Sequence, residues 1–178
     1  AFWEREQLTM EDESIYNYLQ VRDTDESTIL STNVLFGVQS IKMKQEGLTG
    51  LYYDYALAAP VMAGLNEKED SRVMILGLGS GTFATYCEEY FPQTKIQGAE
   101  IDEKIVNIAR DYFELPSSVE VAVEDGRAYL SASEEQYDVI MVDAYQDITI
   151  PFQMSSVEFF TEVSNHLKED GVMVVNMN

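Results

Sequence analysis

Val73-Met74-Ile75-Leu76-Gly77-Leu78-Gly79-Ser80-Gly81 is an apolar run that breaks into three alternate glycines. A continuous apolar run bounded by glycine reads as a parallel strand buried on both faces. Glycines directly after such a strand let the backbone turn tightly and approach a ligand without a Cβ in the way. Taken alone, three glycines are a weak signal that a tight turn also explains. The second signal lies nineteen residues past Gly81, where Glu100 closes another apolar stretch. A carboxylate at the end of the next strand is placed to accept hydrogen bonds from both hydroxyls of a ribose. Together the two features predict a nucleoside pocket. A dinucleotide loop requires G-x-G-x-x-G, but the sixth position here is Thr82, and the glycines fall as G-x-G-x-G. That spacing suits S-adenosylmethionine or a relative better than NAD, whose pyrophosphate sits on the helix N-terminus.

Strands and helices alternate outward from this stretch. Strands are predicted at residues 72–78, 95–100, 118–123, 137–143 and 171–177. Helices are predicted at 82–91, 102–115, 126–132 and 155–168. The second helix carries Ile105, Ile108, Ala109, Tyr112 and Phe113 on one face, with Asp102 as its N-cap. This alternation predicts an α/β fold: a Rossmann-like, mostly parallel sheet of the S-adenosylmethionine-dependent methyltransferase type, with helices on both faces. The front of the chain reads differently. Short β-rich runs at 14–22, 27–31 and 37–42, separated by polar breakers, predict a small N-terminal meander of hairpins. Residues 51–65 turn helical, with Pro60 arguing for a kink or an early stop. The expected organisation is a β-rich subdomain over 1–50, a helix and connector over 51–71, and a nucleoside-binding α/β domain over 72–178.

Composition narrows the partners. The chain has 178 residues, 46% of them hydrophobic, enough for one domain with a real core. Eleven basic residues stand against 32 acidic ones, a formal net charge of −21. Phosphate binding needs a basic surface, so nucleic acid is not expected as a partner. An acidic surface attracts cations such as amines, although it serves solubility equally well. Cys87, the single cysteine, reads as a buried apolar residue, and the single histidine, His166, as a helix C-terminal residue. One histidine and one cysteine do not make a zinc site, and no carboxylate spacing suggests magnesium. No apolar run has bilayer-spanning length and no signal peptide is visible, so a cytoplasmic chain without membrane contact is expected. Because the first residue is Ala1 rather than Met, the chain also reads as a piece processed or excised from something longer.

Ligands of open α/β sheets gather beyond the carboxyl ends of the strands. Those ends read Gly77 to Gly81, then Glu100-Ile101-Asp102, then Glu124-Asp125-Gly126, then Asp143-Ala144-Tyr145-Gln146-Asp147. In this arrangement Glu100 holds the ribose, Asp125 accepts from an adenine amino group, and Asp143 sits nearest a reacting sulfonium.

With Tyr137-Asp138-Val139-Ile140-Met141-Val142 added, these runs resemble the spermidine synthase family, over most of the chain. Residues 143–155, with Ile150-Pro151-Phe152, are similar to spermidine synthase-like domains fused to membrane segments. The resemblance implies aminopropyl transfer from decarboxylated S-adenosylmethionine to an amine, as in polyamine biosynthesis, without a metal. It implies that Gln39 touches the cofactor, that a tyrosine of Leu51-Tyr52-Tyr53-Asp54-Tyr55 lies on the substrate side, and that Asp143 takes the proton from the amine. Tyr53 is the tyrosine entertained for that role, although an aromatic core stripe describes it equally well. The expected nucleoside-binding set is Gln39, Gly77, Gly79, Ser80, Glu100, Ile101, Asp125, Gly126 and Asp143. The expected catalytic groups are Asp143 and Tyr53.

Departures from the family pattern concern the acceptor. The family loop reads G-G-G-D-G, with Ser80 here in place of its acid, and the later D-x-x-D has Gln146 for its second acid. The polyamine acceptor is therefore open. A methyltransferase using intact S-adenosylmethionine on another acceptor is the alternative, and a catalytically silent nucleoside-binding or dimerisation module is a third. The family sheet also continues with two more strands, which this chain lacks. An open apolar edge at 171–177 would invite pairing, so a covering partner, such as a second copy in a homodimer, or a trimmed chain is expected.

Overall fold

The computed structural model describes residues 8–33, 38–45, 47–143 and 154–176. Strands β1 (Leu8–Glu13), β2 (Tyr18–Asp23), β3 (Ser27–Thr32) and β4 (Ser40–Met43) form an antiparallel four-stranded sheet in sequence order. The strand expected over 14–22 is thus wrong at its start. Ser14 to Asn17 is a turn, closed by the Ser14 N–H on the Asn17 carbonyl at 2.8 Å. The β1 strand ahead of it was not legible because its sequence, LTMEDE, is largely exposed and acidic, with no buried alternation to betray a strand. Gly37, the expected start of the third run, lies outside the described residues.

The helix expected over 51–65 is two short ones, α1 (Tyr52–Ala56) and α2 (Ala58–Met62), followed by a 3-10 turn at Leu65–Glu67. Proline explains the break. Pro60 has no N–H to offer the Ala56 carbonyl, so α1 ends there, and Pro60 falls in the first turn of α2, where that N–H is not missed.

Then follow β5 (Arg72–Leu76), α3 (Thr82–Tyr90), β6 (Lys95–Glu100), α4 (Glu103–Asp111), β7 (Glu120–Val123), α5 (Gly126–Ala132), β8 (Tyr137–Val142), α6 (Val157–His166) and β9 (Leu167–Val175). The five strands are parallel, in the order β7-β6-β5-β8-β9. The last strand begins four residues earlier than its sequence suggests, directly at the end of α6. Alternation along β5 divides the core. Val73 and Ile75 pack with Tyr53, Ala59, Phe83 and Cys87 on one face, and Met74 and Leu76 with Leu130, Phe159 and Val163 on the other. A third cluster joins the sheets: Leu19, Val21 and Leu30 of the antiparallel sheet bury against Ile105, Ile108 and Phe113 on and beyond α4.

The strand order reverses between β5 and β8, because the chain runs outward to β7 and then returns past β5. Crevices at such switch points, beyond the carboxyl ends of the strands, are where open α/β sheets bind ligands. The opposite end of β8 is closed by a structural device. Asp138, with its side chain fully buried, accepts from Lys68 Nζ at 2.7 Å, Lys168 Nζ at 2.8 Å and the Arg72 N–H at 2.8 Å. Among the described residues, no helix is long and apolar enough to cross a membrane.

Candidate active site

The glycine loop and Glu100 meet as the spacing suggests. Gly77 and Leu78 donate their N–H groups to the Ala99 carbonyl at 3.0 and 3.1 Å, which presses the loop against the end of β6. Gly79 donates to Glu100 Oε2 at 3.0 Å, and Asp102 donates its N–H to Glu100 Oε1 at 3.1 Å. The carboxylate is therefore held at both oxygens. Burial pushes it above the usual carboxylate range, while those two N–H groups oppose the rise. Gly81, at φ +81°, caps α3 in a backbone conformation that favours glycine, and a Cβ there would lie 2.4 Å from Leu115 Cδ1, so the Leu115 side chain would have to shift. Ser80 is buried, its hydroxyl 3.0 Å from that of Thr82, which in turn donates to the Ile41 carbonyl of β4 at 3.1 Å. The loop thus presents no carboxylate of its own.

Asp143 follows β8, its N–H on the Leu76 carbonyl at 2.8 Å, across the strand-order reversal from Glu100. Its Oδ2 accepts from the Tyr52 hydroxyl and its Oδ1 from Asn176 Nδ2 at 3.0 Å. Burial raises its carboxyl above the ordinary aspartate value, and the two donors work against that rise. Burial and the neighbouring Asp143 carboxylate keep the Tyr52 phenol protonated far above neutrality, so it acts as a donor. Tyr53 stacks on Tyr52, ring centroids 4.0 Å apart, but its own hydroxyl lies 3.1 Å from both the Gln39 carbonyl and Ser40 Oγ. Its phenol is pushed up to about 12, first by burial. The tyrosine that reaches Asp143 is thus Tyr52, not Tyr53.

Asn176 is a second neighbour of Asp143 that sequence reasoning did not single out. It stands just past β9, which ends at Val175; the strand predicted over 171–177 hid it inside the strand. Gln39 enters the network through its main chain, and its side-chain oxygen accepts from Thr32 Oγ1 at 3.4 Å. Asp125 caps α5, its Oδ1 accepting from the Ala128 N–H at 2.9 Å. Gly126 packs under it, where a Cβ would come within 3.3 Å of Leu76. Ile101 lines an open cavity with Val123 and the β1–β2 turn. Gln146, Asp147, Ile150, Pro151 and Phe152 lie outside the described residues.

His166 has a structural place, its ring nitrogens 2.9 Å from the Glu162 carbonyl and 3.1 Å from the Ser133 carbonyl. Cys87 is buried, which pushes its thiol up and leaves it unreactive. Among the described residues, no group of three or more His, Cys, Asp or Glu is arranged to hold a metal ion.

Residues 55–178 match the model of the spermine/spermidine synthase domain. The chain belongs to this family. Over its whole length it is 60% identical to a probable polyamine aminopropyl transferase of Bifidobacterium longum, of which it spans 39%. The fold is shared with a probable spermidine synthase from Corynebacterium glutamicum, at a TM-score of 0.82 and 22% identity, covering 94% of this chain and 63% of that one. A spermidine synthase crystallised with the transition-state analogue AdoDATO matches at a TM-score of 0.69 and 18% identity, covering 95% and 56%. The spermidine synthase-type architecture expected from the sequence, an α/β sheet of the methyltransferase type behind a small antiparallel one, is therefore the fold of this chain.

Proposed function

We propose that this chain carries the nucleoside pocket and the proton-accepting carboxylate of an aminopropyltransferase acting on decarboxylated S-adenosylmethionine and an amine. The observation that carries the reading is Asp143: a half-buried carboxylate, held by Tyr52 and Asn176, at the carboxyl end of β8 beside the strand-order reversal. The residues present fit the co-substrate. Glu100 is held ready for a ribose diol, Asp125 and Gly126 stand at the base side, and the acidic strand ends suit a sulfonium.

The chemistry follows from protonation. An amine is an ammonium near neutral pH and has no lone pair to attack with. Asp143 takes its proton; the freed nitrogen forms a bond to the carbon beside S⁺, and the C–S bond breaks toward sulfur. Methylthioadenosine leaves neutral, and the positive charge passes to the new secondary amine. Tyr52 and Asn176 hold both carboxylate oxygens, so the base meets the ammonium in one orientation. Gln39 and Ser40, at the start of β4, hold the Tyr53 hydroxyl, and Tyr53 packs against Tyr52.

Ser80 favours a second reading. An uncharged loop does not repel the carboxylate of intact S-adenosylmethionine, which would allow methyl transfer to a different acceptor. Calorimetry against both cofactor forms and methylthioadenosine, with putrescine or spermidine added, separates the readings. Aminopropyl transfer requires tighter binding of the decarboxylated form and product with an amine present. Preference for the intact form, indifferent to amines, favours methyl transfer, and no nucleoside binding overturns both. Asp143→Asn is expected to lower kcat at least a hundredfold while sparing nucleoside affinity; surviving turnover would remove Asp143 from the reaction.

A further inference from the structure

Asp102 sits where the antiparallel sheet, α4 and Glu100 converge. It is 1% exposed and uses both carboxylate oxygens. Oδ1 caps α4 by accepting from the Lys104 N–H at 3.0 Å. Oδ2 accepts from the Ser14 hydroxyl at 2.5 Å and from Asn17 Nδ2 at 2.9 Å, residues that lie 88 and 85 positions earlier in the chain. Its own N–H is the donor on Glu100 Oε1. One residue therefore couples the β1–β2 turn to the carboxylate expected to bind ribose.

We propose that Ser14 and Asn17 are positioning residues that act through Asp102 to hold Glu100 for the 2′- and 3′-hydroxyls of a nucleoside. The proposal rests on the nucleoside reading above. The turn is built to deliver these donors in a fixed place. Ser14 Oγ accepts from the N–H groups of Tyr16 at 3.0 Å and Asn17 at 2.9 Å, and Asn17 Oδ1 accepts from Asn33 Nδ2 at 2.9 Å. Hydrogen bonds to a buried carboxylate are among the stronger ones, and leaving such an acceptor unmet is costly. Without Ser14 and Asn17, Asp102 would turn toward water, tilting the peptide whose N–H holds Glu100. Glu100 would keep Gly79 at one oxygen and lose its anchor at the other. A carboxylate free to rotate no longer matches a diol. The nearby Lys104 contact with Asp12, at 2.7 Å, is half-exposed and adds little by comparison.

The test compares methylthioadenosine with its 2′,3′-dideoxy analogue, by calorimetry on the wild-type chain, the Ser14→Ala/Asn17→Ala double variant, and both combined with Glu100→Gln. The double variant is expected to lose about tenfold in affinity for methylthioadenosine, the scale of one hydrogen bond, and nothing for the dideoxy analogue. Adding Glu100→Gln should then cost nothing further. Equal losses for both ligands, a loss additive with Glu100→Gln, or no loss at all would overturn the proposal while leaving the nucleoside reading intact. A wild-type chain that binds neither ligand would overturn that reading and the proposal with it. Should the double variant fail to fold, each single variant carries the same comparison, with Ser14→Thr expected to retain affinity through its hydroxyl.

Discussion

Asp143 shows how a carboxylate is tuned by its immediate neighbours. Burial raises its proton affinity, and the donors Tyr52 and Asn176 lower it. In the reaction proposed above it would serve as base only when ionised, so the acid limb of the kcat/KM profile should lie above the ordinary aspartate value. Asn176→Ala removes a donor that favours the ionised form and leaves burial less opposed. The acid limb is then expected to move to higher pH, because the ionised form loses a hydrogen bond that favours it. An unchanged limb in a pH–rate series would show that Asn176 does not tune the base. Identity at this scale was partly legible. The strand-end rule singled out Asp143 and Glu100, which do lie at strand ends, whereas the resemblance pointed to Tyr53 and the residue bonded to Asp143 is Tyr52. Neighbouring helical residues point about 100° apart, and only packing decides which one faces the crevice.

Among the elements, α4 carries the most. Its N-terminus is capped by Asp102 and its buried residues fill the joint between the two sheets, with Leu19, Val21 and Leu30 against Ile105 and Ile108. Ile108→Ala should therefore cost about 2–5 kcal/mol, as large-to-small changes do in a closed core. Arg110→Ala, on the exposed side of the same helix, should stay within about 0.5 kcal/mol. Urea midpoints for the two variants test the contrast, and similar values would mean that α4 does not join the sheets. The apolar face of α4 was visible as a 3.6-residue period. That its partner is a second sheet was not, because periodicity marks a face to be buried without saying against what.

Across the whole molecule, the chain is strongly acidic, with a net charge of −21, yet two of its few basic residues meet at one buried aspartate. Burial alone would push Asp138 up, but Lys168, Lys68 and the Arg72 N–H hold its carboxyl below the usual range. A carboxyl whose folded value is depressed adds stability above its unfolded value, and that stability is lost as pH falls through the folded one. Asp138→Ala leaves two lysines facing each other without their counter-charge, at an expected cost of about 3–5 kcal/mol near neutral pH. The difference from wild type should shrink below about pH 4, as the wild-type aspartate also becomes protonated. Thermal melts of both proteins between neutral and acidic pH would check this, and a difference independent of pH would rule out the charge as its cause.

The sequence by itself determined the alternation of strands and helices from residue 72 onward, the glycine loop, and the acids at the strand ends. All of these are local or periodic signals, written in the order of apolar and small residues. Tertiary structure alone decided that an acidic, exposed stretch at Leu8–Glu13 is an edge strand, that Tyr52 rather than Tyr53 reaches Asp143, and that Ser14 and Asn17 meet Asp102. Those facts depend on contacts between residues up to about ninety positions apart, and no local pattern records what a side chain meets once the chain has closed on itself.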